Sequence, residues 1–99
     1  MSQDALIFMR NTGQIINHAM ILNESFRIET ADLGIVTIKT ADVKTIIYQN
    51  LPSYPTDMLR TNGASEYNGN VLEDPIRVES ADLGGQAAIA KAKILSIVW

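Results

Sequence analysis

The sequence predicts an all-β protein in which short, strongly bent antiparallel strands close into a small barrel. Apolar and β-branched residues alternate with polar residues at a period of two along most of the chain, which is typical of strands with one buried face. Residues 27–34 (RIETADLG) and 77–84 (RVESADLG) are identical at six of eight positions. This second observation indicates that the barrel is built from two copies of one unit.

The duplication extends over most of the chain and predicts a single domain, 1–99, with copies at approximately 5–49 and 57–99. Arg10 and Gly13 align with Arg60 and Gly63, and the apolar ends of the copies also match (Val43, Ile46, Ile47 and Tyr48 with Ile94, Ile97, Val98 and Trp99). A module of about forty residues seldom buries enough surface to be stable alone. We therefore expect the copies to share one core around a pseudo-twofold axis, as an SH3-like barrel or a thin sandwich.

In the first copy, turn residues separate five predicted strands. Asn11 to Gly13 and residues 23–25 form the first two turns, and Ala31 to Gly34 form the third, with Asp32 near its opening and Gly34 in the left-handed position. Thr40 to Asp42 interrupt the alternation once more. The strands are expected at 5–10, 14–22, 26–30, 35–38 and 44–48.

The second copy repeats this plan, with strands expected at 58–61, 67–72, 76–80, 87–90 and 94–99. Gly69 predicts a bulge or bend, and the pair Gly84-Gly85 accounts for one inserted residue. Residues 51–55 contain two prolines and predict an extended linker between the copies. Two helical alternatives remain open: a short helix over 87–95 (AAIAKAKIL), and an N-terminal helix over 2–5 capped by Ser2.

Composition excludes several classes of protein. The chain contains no cysteine, so it has no disulfide, thiol nucleophile or thiolate metal site. Asp4 and Arg10 interrupt the first apolar run, and no run reaches the roughly 18 apolar residues of a membrane helix, which predicts a cytoplasmic protein without a membrane partner. The net charge of -3 disfavours strong non-specific binding to polyanions.

The sequence offers no catalytic, cofactor-binding or metal-binding constellation. His18 is the only histidine, and in a regular strand it shares a face with Ile16 and Met20, which predicts a partly buried or rim position. Asp32 and Asp82 occupy equivalent turns, where an aspartate usually caps its own backbone.

The basic residues are the candidates for a binding role. Arg10 and Arg60 align between the copies, as do Arg27 and Arg77. With Tyr48 and Tyr67, these arginines could hold RNA or single-stranded DNA through phosphate pairing and base stacking. The alternative is an ordinary charged surface.

The ends of the chain predict self-association. Residues 94–99 (ILSIVW) and 5–9 carry no charge or proline that would guard a strand edge. Either these strands lie centrally in the sheet or they pair with neighbouring subunits, and head-to-tail pairing closes into a ring if the rotation permits. We expect a homo-oligomeric ring.

Residues 9–22 (MRNTGQIINHAMIL) resemble the first signature of Sm/LSm proteins. Gly13 matches the first glycine of the signature, His18 stands where the second glycine would be, and Met20 fills the apolar position. The second copy presents Gly63, Gly69, Val71 and Asp74 in a similar order. The Arg-Gly of the second signature is missing. The whole chain also resembles small Sm-like proteins of presumed cyanophage origin from marine metagenomes. The resemblance implies an SH3-like barrel, a ring, possible RNA or DNA binding, and activity in the host cytoplasm.

Two function hypotheses follow, and catalysis is the third and least favoured class of function. The first is a non-enzymatic, ring-forming, Sm-like nucleic-acid-binding protein without cofactors. The alternative is a structural or assembly protein, such as a virion component or scaffold, which has no nucleic-acid ligand.

Overall fold

A computed structural model describes residues 4–49 and 55–99, and it confirms the predicted all-β small-barrel fold. Strands contain 62% of the described residues and short helices contain 10%. The strands form one strongly curled half-barrel sheet. The strands are β1 (Asp4–Met9), β2 (Ile15–Ile21), β3 (Ser25–Thr30), β4 (Gly34–Lys39), β5 (Val43–Ile47), β6 (Asp57–Thr61), β7 (Glu66–Val71), β8 (Ile76–Ser80), β9 (Gly85–Ile89) and β10 (Ile94–Val98). Each copy therefore supplies five strands.

Three short 3-10 turns complete the described elements. They span Thr40–Asp42, Ala81–Leu83 and Lys91–Lys93. The helix considered over 87–95 is wrong, because only Lys91–Lys93 are helical and β9 occupies the residues before them. The N-terminal helix is also wrong where it can be followed, since Asp4 and Ala5 belong to β1. Of the predicted linker, only Pro55 lies within the described residues.

The sheet order is symmetric about its centre. The strands follow one another as β4-β3-β7-β6-β5-β10-β1-β2-β8-β9, and every neighbouring pair is antiparallel. Exchanging each strand of the first copy with its counterpart in the second returns the same order reversed. The duplication seen in the sequence is therefore a pseudo-twofold relationship in the sheet.

The two copies exchange strands rather than folding side by side. The first lobe contains β3, β4 and β5 of the first copy with β6 and β7 of the second, and the second lobe is the reverse. The lobes meet where β5 pairs with β10, with Ile46 opposite Ile97. Neither copy can form its lobe without strands of the other.

Short crossovers force the sheet to curl. Residues 22–24 connect β2 to β3, which lie in different lobes, and residues 72–75 connect β7 to β8 in the same way. Chains of these lengths reach at most ~14 Å and ~17 Å. The two arms of the sheet therefore face each other across a core of buried aliphatic residues, centred on side chains such as Ile7, Ile28, Ile46, Ile76 and Ile97.

A bulge in β2 overturns the predicted position of His18. The register between β1 and β2 shifts between Ala5 and Ile7, where β2 carries one additional residue, and His18 adopts a φ of 51°. The extra residue reverses the alternation, so Ile16 and Ala19 are buried while the His18 side chain is 84% exposed. Its imidazole Nδ1 lies 3.1 Å from the carboxylate of Asp4.

Gly69 serves a different purpose from the predicted bulge. Strand β7 pairs with β6 without a register shift, and Gly69 lies opposite Asp57. A Cβ atom at Gly69 would stand 2.0 Å from the carbonyl oxygen of Glu29 in β3. Glycine is therefore required by the close approach of two backbones.

The strands that suggested edge pairing lie at the centre of the sheet. Strand β10 is flanked by β5 and β1, and β1 is flanked by β10 and β2. Their inward-facing residues Ala5, Ile7, Ile94 and Ile97 are buried, whereas Leu6 is 38% exposed. In the sheet formed by residues 4–49 and 55–99, the free edges belong to β4 and β9 instead. Among the described residues, no helix is long and apolar enough to cross a membrane.

Candidate functional site

The predicted basic residues are divided between the lobes. Arg27 on β3 and Arg60 on β6 lie in the first lobe, whereas Arg77 on β8 lies in the second. Arg10 follows β1, and its Nη2 donates to the carbonyl oxygens of Gln49 at 2.6 Å and Ile94 at 3.3 Å. These side chains do not form one basic cluster on either lobe.

The alignment of Arg10 with Arg60 is wrong in the structure. The backbone N–H of Arg10 donates to the carbonyl of Lys93, and the backbone N–H of Asn62 donates to the carbonyl of Asp42 in the matching position of the other lobe. Arg10 is therefore the counterpart of Asn62. The shift arises because the turn after β1 and the bulge in β2 each add a residue that the second copy lacks.

Arg27 and Arg77 do occupy equivalent positions, but their partners differ. The N–H of Leu72 donates to the Arg27 carbonyl, and the N–H of Leu22 donates to the Arg77 carbonyl. Glu73 accepts from the Arg27 backbone N–H and also pairs with its Nε at 2.9 Å.

Asn23 occupies the place of Glu73 beside Arg77. Its Oδ1 accepts from the Arg77 backbone N–H at 2.8 Å but carries no charge. The Arg77 guanidinium is exposed and makes no ion pair with any residue in 4–49 or 55–99. One of the two symmetric arginines is thus neutralised and the other is not.

Arg60 belongs to an exposed pair on the outer face of the first lobe. Its Nη2 lies 3.1 Å from Oε1 of Glu66, whose other oxygen accepts from Asn68 at 3.4 Å. The hydrogen bonds from Arg60 and then Asn68 hold the pKa of Glu66 below its ordinary value. Tyr67, next to Glu66, is partly buried against the core.

Tyr48 lies inside the protein and not on a binding surface. Its side chain is 1% exposed, and its hydroxyl has no hydrogen-bond partner among the described residues. Burial, and then the charges of Asp57, Glu73 and Asp74, raise the pKa of the phenol far above its ordinary value. A ring so enclosed leaves no face open for stacking on a nucleic-acid base.

A buried charged cluster next to Tyr48 is the site that the sequence did not indicate. Asp57, at the start of β6, is 3% exposed and accepts from the N–H of Gln49 at 2.6 Å and of Val71 at 2.8 Å. Lys91 places its ammonium 2.8 Å from the same carboxylate and 5.8 Å from the Tyr48 ring centroid.

The symmetry-related positions hold no such cluster. There Ala5 stands for Asp57, Thr40 for Lys91, and Trp99 for Tyr48, as the reciprocal backbone bonds of Tyr48 and Trp99 show. The Trp99 ring packs edge-on against Phe26 with centroids 6.1 Å apart. Comparison of the two copies shows that the fold does not require ionised side chains at these positions.

A surface cleft of about 360 Å³ lies over the charged cluster, lined by Arg10, Tyr48, Gln49, Asp57, Asp74, Lys91 and Ala92. Most of its polar groups are already engaged. Lys91 Nζ also donates to Asn70 and to the carbonyl of Val71, and Asp74 accepts from the Lys91 backbone N–H. In the described part of the chain, no group of three or more His, Cys, Asp or Glu side chains is placed to hold a metal ion.

The free edge of β4 exposes large apolar side chains. Within the part of the chain that the structure describes, β4 pairs with β3 alone, and Leu33 in the preceding turn and Ile35 are 63% and 57% exposed. Residues 34–38 (GIVTI) contain neither charge nor proline. At the equivalent edge, β9 carries Gln86 in the place of Ile35 and Ala88 in the place of Thr37.

Comparisons with protein-family models, curated proteins and solved structures found no match for the chain.

Proposed function

We propose that this protein is a non-catalytic structural protein that assembles with copies of itself through its free strand edge. The observation that carries this proposal is the β4 edge, which pairs with no second strand of the described sheet and where Ile35 and, in the preceding turn, Leu33 are largely exposed. Proteins usually protect such edges with charges, prolines or bulges, because an unprotected edge pairs with another strand. Between Gly34 and Ile38, β4 has none of these devices.

The internal duplication supports this proposal independently. Ile35 and Gln86 occupy matching positions in one fold, so an exposed isoleucine is not a requirement of the architecture. Complete burial of an exposed Ile or Leu side chain stabilises an assembly by about 1.5–3 kcal/mol. Association of copies through β4 would supply this burial.

Light scattering coupled to size exclusion, over a wide range of concentrations, tests the proposal. We expect a mass above the 10.9 kDa of one chain, rising with concentration. Ile35→Lys should shift the protein to a single chain because it places a charge on the edge. Gln86→Lys on the equivalent edge is the matched control and should leave the mass unchanged. A single chain at every concentration would refute self-assembly.

Nucleic-acid binding is the second candidate, and Arg77 is the observation that favours it. Its exposed guanidinium lacks the carboxylate that neutralises Arg27, so it is available to a phosphate. Ring formation, RNA or single-stranded DNA as ligand, and the Sm-like and phage relationships belong to this second proposal.

Fluorescence anisotropy with short single-stranded RNA and DNA at low salt tests this candidate. Arg77→Ala should weaken binding more than Arg60→Ala, because Arg60 is already paired with Glu66. Phosphate contacts are strongest at low salt. Absence of binding under that condition would therefore exclude the candidate.

A further inference from the structure

We infer that two copies of this chain join by pairing β4 with β4 of the second copy, antiparallel and across a twofold axis, so that the sheet continues through both. This inference rests on the proposed self-assembly and specifies its geometry. Of the two free edges in the described sheet, only β4 combines exposed large apolar residues with unpaired backbone groups. A contact that uses one edge twice is isologous and closes with two subunits.

The alternation of side chains allows this pairing without a clash of faces. Ile35, Thr37 and Lys39 point outward, whereas Val36 and Ile38 point to the core. A twofold axis perpendicular to the sheet keeps outward residues on the outer face of both copies. With Val36 at the axis, Ile35 lies opposite Thr37 of the second copy, a cross-strand pair of β-branched residues that packs well.

Charges at the two ends of β4 complement each other in this arrangement. Lys39 ends the strand, and Asp32 lies in the turn that precedes it. Both are exposed, and neither makes an ion pair within the described part of the chain. Antiparallel pairing brings Lys39 of each copy beside the turn that carries Asp32 of the other. The symmetric contact therefore gains two ion pairs.

The other edge offers no equivalent contact. Ala90 stands at the position of Lys39, and Asp82, the counterpart of Asp32, already accepts from the N–H of Asn17 at 3.1 Å. Pairing of β9 with itself would thus bury small side chains and form no charge contact. A head-to-tail contact between β4 and β9 would use both edges and lead to a ring or an open filament.

Because the chain has no cysteine, single-cysteine variants distinguish these contacts cleanly. Thr37→Cys marks the β4 edge and Ala88→Cys marks the matching position of β9. With a short bismaleimide linker, we expect Thr37→Cys alone to form cross-linked dimers and Ala88→Cys alone to form none. Cross-linking seen only when the two variants are mixed would overturn the twofold arrangement in favour of head-to-tail contacts, with self-assembly intact.

Light scattering on the same samples separates the two proposals. Oligomers that fail to cross-link in every combination would refute pairing through β4, whereas a single chain at all concentrations would refute self-assembly itself. A charge exchange provides a second test. Lys39→Asp should raise the dimer dissociation constant roughly threefold to tenfold, as expected for two exposed charge pairs, and adding Asp32→Lys should restore it. Failure of the exchange to restore affinity would contradict the proposed antiparallel register.

Discussion

The ammonium group of Lys91 lies 2.8 Å from a carboxylate oxygen of Asp57, a residue that is 3% exposed. The same carboxylate accepts backbone N–H groups from Gln49 and Val71, so it joins the residues after β5, the start of β6 and the end of β7. Ala5 and Thr40 stand at the symmetry-related positions, so the pair has no counterpart there. Because Lys91 lies between β9 and β10, the pair also joins the two lobes.

We predict that Asp57→Ala destabilises the protein by about 3 kcal/mol or more. The substitution leaves the buried N–H of Val71 and the partly buried N–H of Gln49 without acceptors, and it removes the partner of a mostly buried ammonium. Breaking a buried pair from one side costs roughly 3–5 kcal/mol. The free energy of unfolding from urea titrations measures the loss.

The exposed pair Arg60–Glu66 is the matched control for this measurement. Both side chains are about half exposed, and pairs of this kind contribute little to stability because water screens them. Glu66→Ala should therefore change stability little. If Asp57→Ala and Glu66→Ala lowered the free energy of unfolding equally, the buried pair would contribute no more to stability than the exposed pair.

We predict that Gly69→Ala severely destabilises the sheet. The new Cβ would stand 2.0 Å from the Glu29 carbonyl oxygen, so β7 and β3 would have to separate. Overpacking against a backbone typically costs roughly 1–3 kcal/mol and occasionally more. Thermal unfolding measures the effect, and Gly63→Ala is the control, since its Cβ would approach nothing closer than Thr61 at 3.9 Å. Similar melting temperatures for the two variants would contradict the close approach of β3 and β7.

The fold was largely predictable because its dominant signal is local. Alternation of buried and exposed residues, as in β3 and β8, reports directly which face of a strand is covered. The duplication added long-range information, since it required a symmetric arrangement. The exchange of strands between copies was not predictable, because the same alternation satisfies pairing within a copy or between copies.

The candidate site was much less predictable. The bulge at His18 and the longer turn after β1 shifted the true correspondence away from Arg10 and Arg60, and only hydrogen-bond partners reveal that shift. Asp57 gave no signal because it lies outside any motif. Comparison of Asp57 with Ala5 singles it out, but this comparison needs the structural register.

We predict that Asn23→Glu lowers any affinity for single-stranded nucleic acid. It copies Glu73 into the equivalent position, where the new carboxylate can pair with Arg77 as Glu73 pairs with Arg27. Fluorescence anisotropy at low salt measures the affinity. The reverse change, Glu73→Asn, should free Arg27 and raise affinity, and no response to either substitution would exclude both arginines from binding.

Tyr48 gives a prediction with a defined pH dependence. Because its pKa in the folded protein is raised above the unfolded value near 10, the unfolded state loses the phenolic proton first as pH rises. The stability linked to this group is therefore complete below about pH 10 and falls above it by about 1.4 kcal/mol per pH unit. Tyr48→Phe should abolish this component and, because the hydroxyl has no partner, cost little at neutral pH. Urea titrations of both proteins at neutral and alkaline pH measure the difference. Parallel losses in the two proteins would show that Tyr48 ionises normally and is not enclosed as described.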